Sequence, residues 1–256
     1  SGGAVANNAT GSHSLLYGMT ADHVRAMEVV PADGHVARFG PDTLTDAFQA
    51  SDLRVANDLR HLVANPAHQQ TIRADTPHYW RRCGGYNLDR LLPGASQNLA
   101  QLICGSEGTL AVMTEITLNL VPRPPHKVLG LVHFGDLHVA LEAVAAILET
   151  DPAAVELLDT LSLTLCHDVP TYARMLASVI DGRPLCLLVV EYQGESAAEA
   201  LDGLARLERR LARAGAGHTG LTRATTAEAM AAVWGVRKAG LGLLMSMKGD
   251  MKPVPI

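Results

Sequence analysis

Two widely separated clusters of small residues, and two cations late in the chain, are what this sequence offers for chemistry. The first cluster is Gly2-Gly3-Ala4-Val5-Ala6-Asn7-Asn8-Ala9-Thr10-Gly11, and the second is Cys104-Gly105-Ser106-Glu107-Gly108-Thr109-Leu110. Glycine permits close approach and unusual backbone angles. In both stretches, therefore, peptide N–H groups rather than side chains would meet a partner, and a dinucleotide fits that description. A tight turn reads equally well in either place, as does a flexible end for the first. Ser12-His13-Ser14 and Tyr17-Gly18 add donors beside the first cluster. The cations are Arg237, which follows Trp234 on a helical stretch, and Lys252, which precedes Pro253. Together they could clamp a carboxylate, arginine supplying bidentate geometry. Solvated helix-end charges remain the plainer reading of the same two residues.

Other motifs carry less. Gly215-Ala216-Gly217-His218-Thr219-Gly220 satisfies G-x-G-x-x-G, but a dinucleotide fingerprint needs a strand before it and a helix opening on it. Here a helix precedes and a strand follows, so these glycines read as a helix end. The eleven histidines form no H-E-x-x-H or other ligand spacing, and no metal site is expected within the chain. No nucleophile elbow is present. Cys83, Cys104, Cys166 and Cys186 lack C-x-x-C spacing, which fits a reducing compartment and argues against a disulfide framework.

Composition sets the frame. The chain has 256 residues, 48% of them apolar and 18% charged, which predicts a well-buried core. With aromatics at 4%, that core must be Leu, Val and Ala. A net charge of -5 without a basic stripe argues against a nucleic-acid surface. No apolar run reaches the length of a membrane span, and a cytoplasmic place, peripheral to a membrane at most, is expected. The ends read as those of a piece cut from a longer protein.

The elements that would position these residues follow from periodicity. Residues 24–38 read as two short strands joined by a hairpin-type turn at Asp33-Gly34. Residues 43–73 read as helix, with Leu44, Phe48, Leu53, Val55, Leu59, Leu62 and Val63 at helical spacing and an interruption at Pro66. Leu110–Val121 reads as a strand, ended by Pro122-Arg123-Pro124-Pro125, which marks a domain boundary. Beyond it come a strand over 128–134, then a helix over 136–149 with Leu137, Leu141, Val144, Ile147 and Leu148 inward. A strand over 153–158, a helical stretch through Met175 and a strand over 185–192 follow. Ser196 and Glu199 suggest a capping box for a helix whose stripe is Leu201, Leu204, Leu207 and Leu211 and which stops at Gly215. A strand over 218–222 and a last helix, capped by Thr225 with Glu228, complete the pattern. This order is that of a ferredoxin-like α+β layer with an added helix.

Taken together, the residues resemble flavoproteins of the vanillyl-alcohol oxidase (PCMH) type, in their D-2-hydroxyacid dehydrogenase branch, whose members act on D-2-hydroxyglutarate, D-lactate or glycolate. The match runs through Gly2-Gly3, Ala6-Asn7-Asn8-Ala9 and Gly11, then Tyr17-Gly18, Thr20 and Asp22-His23-Val24. It continues through Glu28-Val29-Val30, Ala32-Asp33-Gly34 and Gly85-Tyr86-Asn87-Leu88 to Gly105-Ser106-Glu107-Gly108-Thr109-Leu110-Ala111-Val112 and Met113-Thr114-Glu115. Over the second half it rests on Trp234, Arg237 and Lys252. The resemblance implies an α+β chain. Residues 1–125 would be the second lobe of an FAD-binding domain, and residues 126–256 a ferredoxin-like, substrate-side cap incomplete at its C-terminus. It implies FAD as cofactor, contacted by Gly2, Gly3, Asn7, Asn8, Ala9, Gly11, Ser14, Tyr17, Gly18, Gly105, Glu107, Gly108 and Val112. It implies a small 2-hydroxy acid as substrate, its carboxylate held by Arg237 and Lys252, with Leu241 where relatives commonly carry threonine. The catalytic base, a divalent metal and an iron–sulfur cluster would come from segments beyond Ile256, and the other FAD lobe from before Ser1. The electron acceptor would be something other than NAD, and the 256 residues alone would hold FAD weakly and be nearly inactive. A non-catalytic ligand- or partner-binding α+β module, and a flavin oxidase using oxygen, are the rival readings.

Overall fold

The structure is a computed structural model and describes residues 2–41 and 54–249. Chain contacts divide it into two compact units, Ser1–Pro122 and Arg123–Ile256.

In the first unit, strand β1 (Val24–Pro31) lies between β2 (Ala37–Phe39) and β3 (Ala111–Leu118), antiparallel to both. The β1–β2 turn uses Gly34 at φ 81°, its N–H donating to the Pro31 carbonyl at 3.0 Å. Alternation along β1 buries Val24, Met27 and Val29. The opening glycine-rich stretch is not a loop but a one-turn helix, α1 (Gly2–Ala6). Short helices α2 (Ser14–Tyr17) and α3 (Thr20–His23) follow before β1. The helical region splits into α4 (Arg54–Ala64) and α5 (Pro66–Asp75), since Pro66 starts a new helix and Asn65 caps it by accepting the Ala67 N–H at 2.9 Å. The expected helix over 43–53, with Leu44, Phe48 and Leu53, lies outside the described residues. A 3-10 turn at Leu88–Leu91 and helix α6 (Ala100–Ile103) complete the layer. Its core gathers Val29, Phe39, Leu91, Leu99 and Ile103.

The second unit holds a four-stranded antiparallel sheet built from β4 (His126–Phe134), β5 (Ala154–Leu158), β6 (Cys186–Gly194) and β7 (Gly220–Ala224). Its order, β5-β6-β4-β7, is the ferredoxin-like arrangement. Helices α7 (Leu137–Leu148) and α10 (Ala197–Ala214) cover one face. Helices α8 (Thr160–His167), α9 (Pro170–Ala177) and α11 (Ala227–Ser246) cover the other. Pro170 breaks what reads as one helix into two.

Several expectations shift here. On α7 the face against the sheet is Ala140, Ala143 and Ile147, whereas Leu137, Leu141 and Leu148 are exposed. Leu201 is exposed on α10, and only Leu204, Leu207 and Leu211 go inward. Small side chains take most of the α7 interface, whereas leucines take that of α10. The α10 start matches its signal, with Ser196 accepting the Glu199 N–H at 3.2 Å, but the Glu199 carboxylate takes the N–H of Glu195. Thr226, not Thr225, caps α11, accepting the Ala229 N–H at 3.2 Å. Gly215, in the left-handed region at φ 59°, ends α10, so the G-x-G-x-x-G stretch sits at a helix C-terminus.

Candidate functional site

The first cluster folds as it does because of Asn8. Its side chain is buried, with Oδ1 accepting the Ala21 N–H at 2.9 Å and Nδ2 donating to the Arg82 carbonyl at 3.0 Å. Its backbone takes φ 44°, a conformation asparagine tolerates better than most residues. Asn8 thus ties α1 to α3 and to the 82 region. The second cluster then closes on α1 from its other end. The N–H of Gly105 donates to the Val5 carbonyl at 3.3 Å, and that of Glu107 to the Ala6 carbonyl at 3.0 Å. Gly105 has φ 87° and lies so close that a Cβ there would sit 2.9 Å from the Gly85 carbonyl oxygen. The two glycine-rich stretches, far apart in sequence, are therefore one packed unit. Two of the peptide N–H groups expected to face a ligand are occupied inside it.

Beyond Asn8 the chain borders a cavity of about 360 Å³ lined by Ala9, Gly11, Ser12, His13, Ser14, Tyr17, Gly18, Met19, Thr20, His23 and Leu118. That is the lower end of the usual range for ligand sites, about 300–1,000 Å³. Gly18, at φ 78°, would place a Cβ against the Asp22 carboxylate, so only glycine fits. Asp22 accepts the Met19 N–H at 2.7 Å and pairs with Arg90 at 2.6 Å, which fixes the cavity's lower turn. His23 Nε2 donates to the Tyr17 carbonyl at 2.8 Å, and Ser12 Oγ lies 3.1 Å from His13 Nδ1. Gly11 has nothing within 4 Å of where a Cβ would stand, so its backbone is open to close approach.

The candidate residues therefore separate. The cavity brings together Ala9, Gly11, Ser14, Tyr17 and Gly18. Gly2, Gly3 and Asn7 lie on α1 and just after it, and Asn8 is spent on the core. Gly105, Glu107 and Gly108 form the loop packed against α1, while Val112 is exposed on β3. Ser12 and His13 line the cavity as well, and their only signal in the sequence is adjacency to Gly11 and Ser14. One further group stands out. The Ser106 hydroxyl is buried within the glycine-rich loop and has no hydrogen-bond partner among the described residues, an arrangement native structures seldom leave unexplained. Its oxygen is sealed from solvent, so no ligand reaches it without a shift of the loop; what these residues offer a dinucleotide is the open backbone at Gly11 beside the cavity. Cys104 beside it is no nucleophile: burial pushes its thiol up to about 12.

In the second unit Arg237 lies on α11, where its Nε donates to Glu156 Oε2 at 2.8 Å. Lys252 lies outside the described residues, as does the side chain of Leu241. Glu191 is fully buried on β6 and accepts from Gln193 Nε2 at 2.8 Å. Among the described residues, no group of His, Cys, Asp and Glu could hold a metal ion. No described helix is long and apolar enough to cross a membrane.

The chain thus holds an α+β unit with an open glycine-lined cavity and, after it, a ferredoxin-like layer. Comparison with known proteins gives the family. A family model described as the C-terminal domain of FAD linked oxidases matches residues 123–256, and one described as an FAD binding domain matches residues 1–40. The chain belongs to the FAD linked oxidase family. It is 26% identical over 266 positions to a D-2-hydroxyglutarate dehydrogenase of Pantoea ananatis, covering 99% of this chain and 26% of that protein. To the Escherichia coli protein of the same name it is 27% identical, with the same coverage. It is 28% identical over 169 positions to glycolate oxidase subunit GlcD of Escherichia coli, covering 65% of this chain and 24% of that protein. The chain thus spans about a quarter of the length of the curated relatives it matches. Among solved structures, alkyldihydroxyacetonephosphate synthase shares the fold, with a TM-score of 0.55 and 18% identity over 94% of this chain and 36% of that one.

Proposed function

We propose that these residues form the flavin-facing and carboxylate-facing parts of an FAD-dependent dehydrogenase that oxidises a D-2-hydroxy acid to the 2-oxo acid. The observation that carries this reading is similarity over 99% of the chain to proteins named D-2-hydroxyglutarate dehydrogenase. FAD, when bound, would accept the hydride from the substrate's C2. This chain's residues bind and orient. Ala9, Gly11, Ser14, Tyr17 and Gly18, with Ser12 and His13, would line one portion of the cofactor. Gly2, Gly3, Asn7, Gly105, Glu107, Gly108 and Val112 would flank another, with Asn8 holding the turn between the two. Arg237 would hold the substrate carboxylate, with Lys252 as the second cation, and a base outside these residues would take the hydroxyl proton.

The test is direct. The full-length, flavin-loaded protein, mixed without oxygen with D-2-hydroxyglutarate, D-lactate or glycolate, should lose its yellow absorbance with at least one of them. No bleaching by any of the three would remove the proposal. Fast reoxidation of the bleached flavin by oxygen would reassign it as an oxidase. Arg237→Ala should raise KM by roughly tenfold or more, since a hydrogen bond to a charged group contributes about 1.5–3 kcal/mol and about 1.4 kcal/mol is tenfold.

A further inference from the structure

We infer that Glu156 is a positioning residue that sets the guanidinium of Arg237 for a ligand carboxylate. The inference rests on the reading that Arg237 meets the substrate, and it adds the residue that aims it. Glu156 is on β5, two residues before Leu158, which belongs to the core between the sheet and α8, α9 and α11. Alternation along the strand puts both residues on that face. Arg237 follows Val233 and Val236, which anchor α11 in the same core. The two side chains come from residues 81 positions apart and meet at 2.8 Å, Arg237 Nε to Glu156 Oε2. The exposures are unequal. The glutamate side chain is 16% exposed and the arginine 42%, so the acid is the fixed inner partner and the guanidinium the outer one.

The atom used matters. The bond engages Nε, while Nη1 and Nη2 have no hydrogen-bond partner among the described residues. A guanidinium held at Nε keeps a planar pair of N–H groups for one more carboxylate, which is the bidentate geometry arginine offers. Holding the long side chain beforehand removes rotamer freedom that binding would otherwise have to remove. Glu156 also cancels the charge of Arg237, so its contribution is aim rather than attraction. Loss of the acceptor should therefore hurt, and loss of the charge alone should not.

Three substitutions in the full-length, flavin-loaded protein test this, with kcat and KM measured for the best substrate among D-2-hydroxyglutarate, D-lactate and glycolate. Glu156→Ala should lower kcat/KM about tenfold to a hundredfold, the range that misplacement of an orienting group produces. Glu156→Gln, which keeps an acceptor for Nε, should stay within about threefold of the parent. In an Arg237→Ala background, Glu156→Ala should cause almost no further loss, because the two act as one unit. A merely structural role would give the same loss in both backgrounds, and that outcome overturns the inference. If Glu156→Ala does not fold, Glu156→Asp carries the same comparison, its shorter reach breaking the Nε contact. A loss with Arg237→Ala but none with either Glu156 variant overturns the positioning role alone. No loss with Arg237→Ala removes the substrate from this arginine, and the inference with it.

Discussion

The contact between the two glycine-rich stretches makes a sharp prediction at Gly105. Alanine there must adopt φ 87°, and its Cβ would stand 2.9 Å from the Gly85 carbonyl oxygen and 3.5 Å from the Asn8 Cβ. The dihedral strain costs about 1–2 kcal/mol. The carbonyl is main chain and cannot rotate away as a side chain would, so the overpacking adds about 1–3 kcal/mol. Relief requires the loop to retreat from α1, which stretches the bonds from Gly105 to Val5 and from Glu107 to Ala6, each contributing about 1 kcal/mol. Gly108 supplies the control. It has φ 81° but nothing within 4 Å of a Cβ, so alanine there costs only the dihedral strain, about 1–2 kcal/mol. Gly105→Ala should therefore melt at least about 2 °C below Gly108→Ala, taking about 1 kcal/mol as the smallest difference. The assay is thermal unfolding of the two variants followed by circular dichroism, with flavin retention measured on the same samples. Equal melting temperatures would refute the close packing of the loop on α1.

Two further outcomes are expected. Asn8→Ala strands the buried Ala21 N–H and the Arg82 carbonyl together, so urea unfolding should show a loss of about 2–4 kcal/mol; a loss under about 1 kcal/mol would return Asn8 to the list of ligand contacts. His133 is buried on β4 with Nε2 3.1 Å from Thr222 Oγ1, and desolvation holds its pKa below the ordinary value while the charge of Asp181 pulls the other way. The unfolded chain then takes up this proton first, near pH 6.5, so stability should fall as pH drops below that value and level off once the folded imidazole is protonated too. His133→Gln should flatten that part of the profile, and an unchanged slope in melting temperature between acid and neutral pH would exclude the histidine as its source.

How much of this could be read beforehand depended on whether local chemistry or distant packing decided the matter. The Asp33-Gly34 turn, the Ser196 cap and the Gly215 stop are local and stand where their residue types put them. The α7 face is not local. Hydrophobicity favours Leu137, Leu141 and Leu148, but the face that packs on the sheet carries Ala140, Ala143 and Ile147. The opening helix α1 defies glycine's low helix propensity, because its last carbonyls are held by Gly105 and Glu107. The same distance hid the site. Nothing in the spacing of Asn8 shows that its amide is consumed by Ala21 and Arg82, and Glu156 gives no sign of Arg237 in the sequence. Family resemblance supplied the cofactor, which spacing alone left open between a ligand loop and a turn.

The bonds from Gly105 and Glu107 back to Val5 and Ala6 also bear on how the molecule comes into being. A growing chain emerges N-terminus first, and α1, a single turn rich in glycine, is far too short to persist unaided. Its carbonyls stay hydrated until about a hundred more residues have been made and folded back, and such distant pairings form slowly. The junction of the two glycine-rich stretches is thus among the last features of its unit to be completed during synthesis.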